Sequence, residues 1–384
     1  MPGLLPDVDP DGLLEYSVVY TDRSLNHMSA RFQQAMRDIS SHLKEVYSAH
    51  SAVIVPGSGT FGMEAVARQF AQERRALVLR NGWFSYRWTQ ILEMGRIPSD
   101  INVRKARRRD EDDPQSPFAP APVEDVIDSI RDMQPDIVFA PHVETAAGIL
   151  LPDDYIRQVA DAIHEEGGLL VLDCIASGAL WVDMQDLGVD VLISAPQKGW
   201  SASPCCAMVM LSRLARETIE ETTSTSFACD LKKWLSIMET YEAGGHAYHA
   251  TMPTDGLVRL RDVMLEVEQY GLEKVREEQQ ALGDGVRELL AEYGYPSVAA
   301  PGFEAPGVVV CYTDDADIVT KFAQAGIQVA GSVPLMCDEG SQFRTFRIGL
   351  FGLDKLHARQ RSLDNLRSAL DQVAQAEPVP SDES

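Results

Sequence analysis

The sequence predicts an α/β protein in which a mostly parallel sheet is covered by helices on both sides and a smaller α/β domain follows it. Three observations carry this reading. Short apolar runs alternate with amphipathic stretches through most of the first 260 residues. Those runs are apolar on both faces, which fits strands buried in a parallel sheet whose crossover helices cover it. After roughly residue 262 the rhythm changes to one long helical stretch, two short strands and a closing helix.

The candidate strands of the large sheet are residues 52–55, 76–79, 136–140, 169–172, 191–193 and 207–211. A helix pattern through Met63, Ala65, Val66 and Phe70 follows the first of them. Ile156, Val159, Ala160 and Ile163 fall at i, i+3, i+4 and i+7, one face of a helix. Leu272, Val275, Leu282, Val286 and Leu289 predict the long helix, residues 308–311 and 345–348 the short strands, and Leu356, Leu363, Leu366, Leu370 and Val373 the closing helix. The expected organisation is an N-terminal segment 1–30, a large domain 31–262, a small C-terminal α/β domain 263–375 and a frayed tail 376–384 containing Pro378 and Pro380. No internal repeat or low-complexity tract is visible.

A chain of 384 residues is long enough for a large core and two domains. Its formal charge of -24 argues against a nucleic-acid partner. The one basic cluster, Arg104-Lys105-Ala-Arg107-Arg108-Arg109, runs directly into Asp110-Glu111-Asp112-Asp113, which cancels its field, so it reads as a solvated surface loop. The six cysteines, Cys174, Cys205, Cys206, Cys229, Cys311 and Cys337, show no metal-ligand spacing and sit mostly in apolar stretches, which fits core positions in a reducing cytoplasm. No apolar stretch approaches the ~20 residues that cross a bilayer. Residues 1–9 lack the basic and apolar regions of a signal peptide.

In doubly covered parallel sheets, ligands collect at the carboxyl ends of the strands. One such end is Asp190-Val-Leu-Ile-Ser-Ala-Pro-Gln-Lys198-Gly-Trp, and the preceding apolar run ends in Asp173. A Lys and an Asp at the tips of neighbouring buried strands suit a site that holds an aldehyde cofactor as a Schiff base. Pyridoxal phosphate needs an amine of lowered proton affinity as nucleophile and base, a task for Lys198. It also needs a carboxylate facing its pyridine nitrogen, a task for Asp173. By itself a Lys after a strand is ordinarily a solvated loop charge, so the case rests on its company.

That company begins with Pro56-Gly57-Ser58-Gly59-Thr60, at the end of the first strand and the start of a helix. Glycines admit a phosphate to the backbone and the helix start stabilises its charge, which makes Ser58, Gly59 and Thr60 phosphate-cup candidates. The stretch lacks the Lys of a nucleotide P-loop, and such turns also serve as plain connections. The next strand ends in Arg80-Asn81-Gly82-Trp83-Phe84-Ser85-Tyr86-Arg87, where an aromatic could stack on a pyridine ring or simply fill core under a loop. The third segment is Ala140-Pro-His142-Val-Glu144-Thr145, in which the Thr145 hydroxyl suits a cofactor oxygen and Glu144 can organise the turn. His142 and Glu144 lack a third ligand and read as a local hydrogen-bond pair rather than a metal site.

Taken in order, these segments resemble the class V aminotransferases of fold type I, in motif style the alanine:glyoxylate and serine:pyruvate group. The matching pieces are Ser58-Gly59-Thr60, Asn81-Gly82-Trp83-Phe84-Ser85-Tyr86-Arg87, His142-Val-Glu144-Thr145, Asp173-Cys-Ile-Ala-Ser177, Gln197-Lys198, Tyr248-His-Ala-Thr251-Met-Pro253 and Arg347-Ile-Gly-Leu-Phe-Gly352. The resemblance implies a pyridoxal-phosphate aminotransferase that moves an amino group from a small amino acid to a 2-oxo acid such as glyoxylate or pyruvate. Lys198 is then the Schiff-base lysine, Asp173 the partner of the pyridine nitrogen and Phe84 the stacking aromatic. Thr145 contacts the cofactor, and Gln197 with Ser58, Gly59 and Thr60 holds its phosphate. Tyr248 and Thr251 match a pair that reaches the phosphate from the partner subunit, so a homodimer with shared active sites is implied. Arg347 matches the substrate-carboxylate clamp, a role that suits its planar fork.

Two stretches depart from the family pattern. Members usually open with a Gly-Pro-rich loop, whereas this chain reads Glu15-Tyr-Ser-Val-Val-Tyr-Thr-Asp-Arg23-Ser-Leu-Asn26-His27-Met28-Ser29, whose end is expected to lead into a helix capped by Ser29. Ser85-Tyr86 stands where glycine is more frequent. The rival reading is a lyase of the same fold, such as a cysteine desulfurase, with Cys337 as the nucleophile. Desulfurases resemble one another in a His before the lysine and a His on the ring, where this chain has Gln197 and Phe84. A further alternative, a cofactor-binding regulator without turnover, finds no basic face to support it.

Overall fold

The structure is a computed structural model that describes residues 13–376. The expected absence of a leader at residues 1–9 and the tail beyond Ala376 lie outside the described residues.

Seven strands form the main sheet: β1 (Ser51–Pro56), β2 (Arg75–Arg80), β3 (Asp100–Lys105), β4 (Ile137–Pro141), β5 (Leu169–Asp173), β6 (Val191–Ser194) and β7 (Cys206–Leu211), in the spatial order β1-β7-β6-β5-β4-β2-β3. All neighbouring pairs are parallel except those of β7, which runs antiparallel to both β1 and β6. Every residue of β4, β5, β6 and β7 is buried, so these strands read as continuous apolar runs. The register sets Pro141 of β4 beside Asp173 of β5, and Asp173 beside Ile193 of β6. It thereby brings the ends of three strands, and the loops that follow them, to one edge.

Helices cover both faces. The first, α1 (Ala30–Val46), is capped as expected by Ser29, whose hydroxyl accepts from Phe32 N at 3.1 Å, and it buries Phe32, Ala35, Met36, Ile39 and Leu43. It packs on the helices Leu231–Glu242 and Thr254–Tyr270. The helices α2 (Gly59–Phe70) and α3 (Trp83–Gly95) start directly after β1 and β2. Ile156, Val159, Ala160 and Ile163 are the buried face of the helix Asp153–Glu165. No helix among the described residues is long and apolar enough to cross a membrane.

One strand escapes the periodicity. Its residues Asp100, Arg104 and Lys105 are charged, and it lies half-buried at the sheet edge beside β2. Here the reading of the basic cluster as a solvated loop is corrected. Arg104 and Lys105 end β3, and Arg107–Arg108 pairs with Phe118–Ala119. Lys105 is 2.9 Å from Asp338, and the Arg108 guanidinium lies 5.5 Å from the Phe118 ring centre and donates to the Glu339 carbonyl. An edge strand tolerates charge because one of its sides meets solvent and neighbouring loops.

The expected division at 262/263 lies inside the helix Thr254–Tyr270. The chain turns at Gly271, φ 105°, into the long helix Leu272–Glu292. Beyond it, β8 (Val308–Tyr312), β9 (Ala330–Gly331) and β10 (Thr345–Gly349) form an antiparallel sheet in the order β8-β10-β9. The closing helical stretch is two pieces, Leu353–His357 and Arg359–Gln375, parted at Ala358, so Leu356 belongs to a separate short turn.

Candidate active site

Lys198, Asp173, Phe84, Thr145, Gln197, Ser58, Gly59 and Thr60 line one cavity of about 140 Å³ at the carboxyl edge of the main sheet. A larger cavity of about 760 Å³ lies along the helix Leu272–Glu292 and holds none of these residues. The smaller one is where the chemistry-bearing groups converge.

Each is placed by a local cause. Lys198 follows β6, and behind it a Cβ at position 199 would lie 1.9 Å from the Gly178 carbonyl oxygen. Only glycine lets the Lys198 backbone lie that close to its neighbour. The Lys198 Nζ is 5.2 Å from the centre of the Phe351 ring. Burial lowers its proton affinity, the charges of Arg347 and Arg87 push the same way, and Asp173 and Glu144 oppose them.

Asp173 ends β5 and is 8% exposed. Burial raises its carboxyl to about 7, with the Glu144 charge adding to the rise and Lys198 and Arg87 opposing it. One backbone donor, Ile175 N at 3.0 Å, reaches it. A buried carboxylate with a single donor calls for a cationic N–H, which is what a protonated pyridine presents.

Phe84 is held by Glu144. That fully buried carboxylate accepts from Phe84 N at 3.2 Å, Ser85 N at 2.9 Å, Ser85 Oγ at 2.7 Å and Ala146 N at 2.9 Å, tying the start of α3 to the turn after β4. A side chain at Gly82 would collide with it, a Cβ lying 2.7 Å from Glu144 Cδ. The expected local pair of His142 with Glu144 is therefore corrected: His142 Nδ1 meets Ser177 Oγ at 2.7 Å, while Glu144 serves backbone donors. Among the described residues no group of three or more His, Cys, Asp or Glu could hold a metal ion. Trp83 packs outside the cavity, 5.6 Å from the Tyr86 ring.

Three predicted residues are not among the walls of this cavity. Arg347, on β10, is half-buried at its rim, with its guanidinium 5.8 Å from the Phe84 ring centre and Nε donating to Gly331 O at 3.1 Å. Tyr248 and Thr251 bond each other at 3.1 Å on a partly exposed loop and do not line the cavity. Tyr248 packs instead on His27 of the N-terminal segment, ring centres 5.6 Å apart. Cys337 is buried, with its Sγ 3.3 Å from the Arg80 carbonyl oxygen and its thiol pushed up by burial, the reverse of an activated mobile nucleophile.

The aminotransferase class-V family model matches residues 13–350. The chain belongs to the class V aminotransferases. It is 30% identical over 343 residues to a 2-aminoethylphosphonate–pyruvate transaminase of Paraburkholderia phymatum, with 86% of each chain covered. It is 26% identical to an alanine–glyoxylate aminotransferase of Oryctolagus cuniculus, with 91% of this chain and 87% of that one covered. The fold matches the crystal structure of an alanine–glyoxylate aminotransferase from Nostoc sp. with a TM-score of 0.77, at 22% identity over 91% of this chain and 88% of that one.

Class V aminotransferases use pyridoxal phosphate, and this cavity fits it. An amine, a donor-poor carboxylate, an aromatic ring and a helix start are within one set of walls. A side chain at Gly59 would meet Ile175, a Cβ lying 2.6 Å from its Cδ1, so the first turn of α2 stays close to the cavity floor. One charged wall residue was given no role from sequence. Arg87, three positions after Phe84 and so on the next turn of α3, reaches back to donate to Thr60 Oγ1 at 3.0 Å. Its spacing from Phe84 was the available signal.

Proposed function

We propose that this class V aminotransferase moves an amino group from a small amino compound to pyruvate or glyoxylate. The observation that carries the proposal is the convergence of Lys198, Asp173, Phe84 and Thr60 on one cavity with Arg347 at its rim. The curated relatives point to the same acceptors, since their names pair alanine with glyoxylate and 2-aminoethylphosphonate with pyruvate.

When bound, pyridoxal phosphate supplies an aldehyde carbon and an electron-withdrawing ring. Lys198, its proton affinity lowered by burial, would hold the cofactor through that aldehyde carbon and would supply the amine base for the substrate Cα proton. Asp173 would face the pyridine nitrogen and supply the negative charge that favours its protonated form. Phe84 covers the ring face and excludes water. Thr145 and Gln197 donate to cofactor oxygens, and Ser58, Gly59 and Thr60 receive the phosphate at the start of α2. Arg347 holds the substrate carboxylate in its fork, which orients the Cα–H bond toward Lys198.

The assembly we propose is a homodimer with shared sites. Tyr248 and Thr251 stand away from their own chain's cavity, and about 140 Å³ is small beside the ~300–1,000 Å³ of usual ligand sites. A second copy that brings these two residues to the cavity mouth supplies the missing wall. The six free, buried cysteines suit a reducing cytoplasm. The small C-terminal unit, carrying Arg347, is taken to begin where the chain turns at Gly271.

The test is a screen of L-alanine, L-serine and 2-aminoethylphosphonate against pyruvate and glyoxylate with purified protein. Conversion of the bound cofactor's visible absorbance by a donor, and its return with an acceptor, is expected. A bound cofactor that no donor converts sinks the reading. Sulfide release from cysteine would revive the lyase.

A further inference from the structure

A pyridoxal phosphate site needs charge as well as geometry, and here the charges can be assigned one by one. The proposed phosphate contacts, Ser58, Gly59, Thr60 and Gln197, are all neutral. A phosphate carries nearly two negative charges at neutral pH, and taking it from water without a cation is costly. Of the cations near the cavity, Lys198 is committed to the aldehyde and Arg347 to the substrate carboxylate under the function proposed above. Asp173 adds further negative charge.

One cation among the cavity walls remains. Arg87 projects from α3 across to α2, donates through one guanidinium nitrogen to Thr60 Oγ1 at 3.0 Å, and stacks 5.2 Å from the Phe84 ring centre. Among the described residues it forms no ion pair, unlike Arg68 on α2, which bonds Glu64. An arginine half-buried in a binding cavity with no carboxylate in ion-pair contact leaves donors for an anion, and its planar fork matches phosphate oxygens. Its position on Thr60 puts that charge at the first turn of α2, where the helix dipole also favours an anion.

We propose that Arg87 is a phosphate-anchoring residue of this site and the formal cation that balances the cofactor's phosphate, while its contact with Phe84 sets the ring over the cofactor. The inference rests on the pyridoxal-phosphate reading and goes beyond it in naming the group that carries the phosphate's charge.

The test compares two aldehydes that differ only in the phosphate. The full-length chain, freed of cofactor by dialysis against an amino donor, is titrated with pyridoxal 5'-phosphate and with pyridoxal, following the visible absorbance at Lys198. For Arg87→Gln the affinity for pyridoxal 5'-phosphate should fall about 10- to 100-fold, the effect of losing one or two charge-assisted hydrogen bonds, while the affinity for pyridoxal stays within about twofold. Arg87→Lys, which keeps the charge, should recover part of the loss. Inorganic phosphate should strengthen pyridoxal binding to the wild type and fail to do so in Arg87→Gln. Equal weakening for both aldehydes, with an unchanged phosphate response, would mean that Arg87 acts only by supporting Phe84 and Thr60, and would overturn the proposal. A wild type that takes up neither aldehyde would instead overturn the cofactor reading beneath it.

Discussion

The cavity at the carboxyl edge of the main sheet and the Tyr248 loop with its N-terminal segment are built in opposite ways. Cavity residues hang from buried strands and are tied to one another through Glu144, which joins the start of α3 to the turn after β4. The other region is braced by small polar contacts. Asn26 Nδ2 donates to Glu15 Oε2 at 2.7 Å, and Tyr20 OH donates to Met252 O at 3.1 Å. Buried His27 sits among Tyr20, His246 and Tyr248 with its Nδ1 lacking a hydrogen-bond partner. The contrast teaches that the cavity is fixed by buried carboxylate-to-backbone ties between distant elements, whereas the outer region is held by side-chain contacts nearer the surface.

The largest effect should come from the floor. Lys198→Ala is expected to lower turnover by about 10⁴-fold or more, since both nucleophile and base are removed, and to abolish the visible absorbance of lysine-bound cofactor. Steady-state kinetics and a spectrum check both.

Asp173 sharpens the comparison through stability. Its carboxyl is raised from 3.8 to about 7 by burial, so the folded, cofactor-free chain binds this proton more tightly than the unfolded chain. The resulting stabilisation is complete below about pH 4 and is lost as pH rises through 7. In Asp173→Asn that loss is absent. The cofactor-free variant should gain on the wild type between pH 4 and 8 by up to about 4 kcal/mol, read by urea unfolding, while turnover with cofactor falls. A variant that gains nothing at pH 8 would show that the carboxylate is already compensated.

Glu144→Ala tests the tie between the floor's elements. It leaves the amides of Phe84, Ser85 and Ala146 without their acceptor, and about 3 kcal/mol of stability should go with them. A loss under about 1 kcal/mol would mean that water replaces the carboxylate.

The smallest effect is expected in the outer region. Tyr248→Phe removes one hydroxyl and should weaken cofactor binding by no more than about tenfold. Its location is the sharper question. If Tyr248 and Thr251 serve a partner's cavity, mixing Lys198→Ala chains with Tyr248→Ala/Thr251→Ala chains at limiting cofactor gives more activity than the two parents sum to, because each mixed dimer contains one intact site. No recovery under conditions that exchange subunits would confine both residues to their own chain.

Much of this was legible in the chain itself. Six strands of the main sheet, edge strand β1 among them, announced themselves because burial on both faces demands unbroken apolar runs, and the residues at their ends marked the cavity. Edge strand β3 did not, since one side of it meets solvent and its charged residues mimic a loop. Glu144 was legible as a turn organiser, but its reach to Phe84, sixty positions earlier, was not. His142 was assigned a neighbour in sequence and found one in space, Ser177.

The sequence by itself determined which side chains could do the chemistry, because strand periodicity and strand-end position are local properties written within a few residues. Tertiary structure alone decided how those side chains act on one another. The burial that lifts Asp173 to about 7, the two guanidinium groups that flank Phe84, and the exclusion of Tyr248 from its own cavity arise between elements far apart in the chain. Electrostatics and packing depend on distance in space, and only the closed sheet sets those distances.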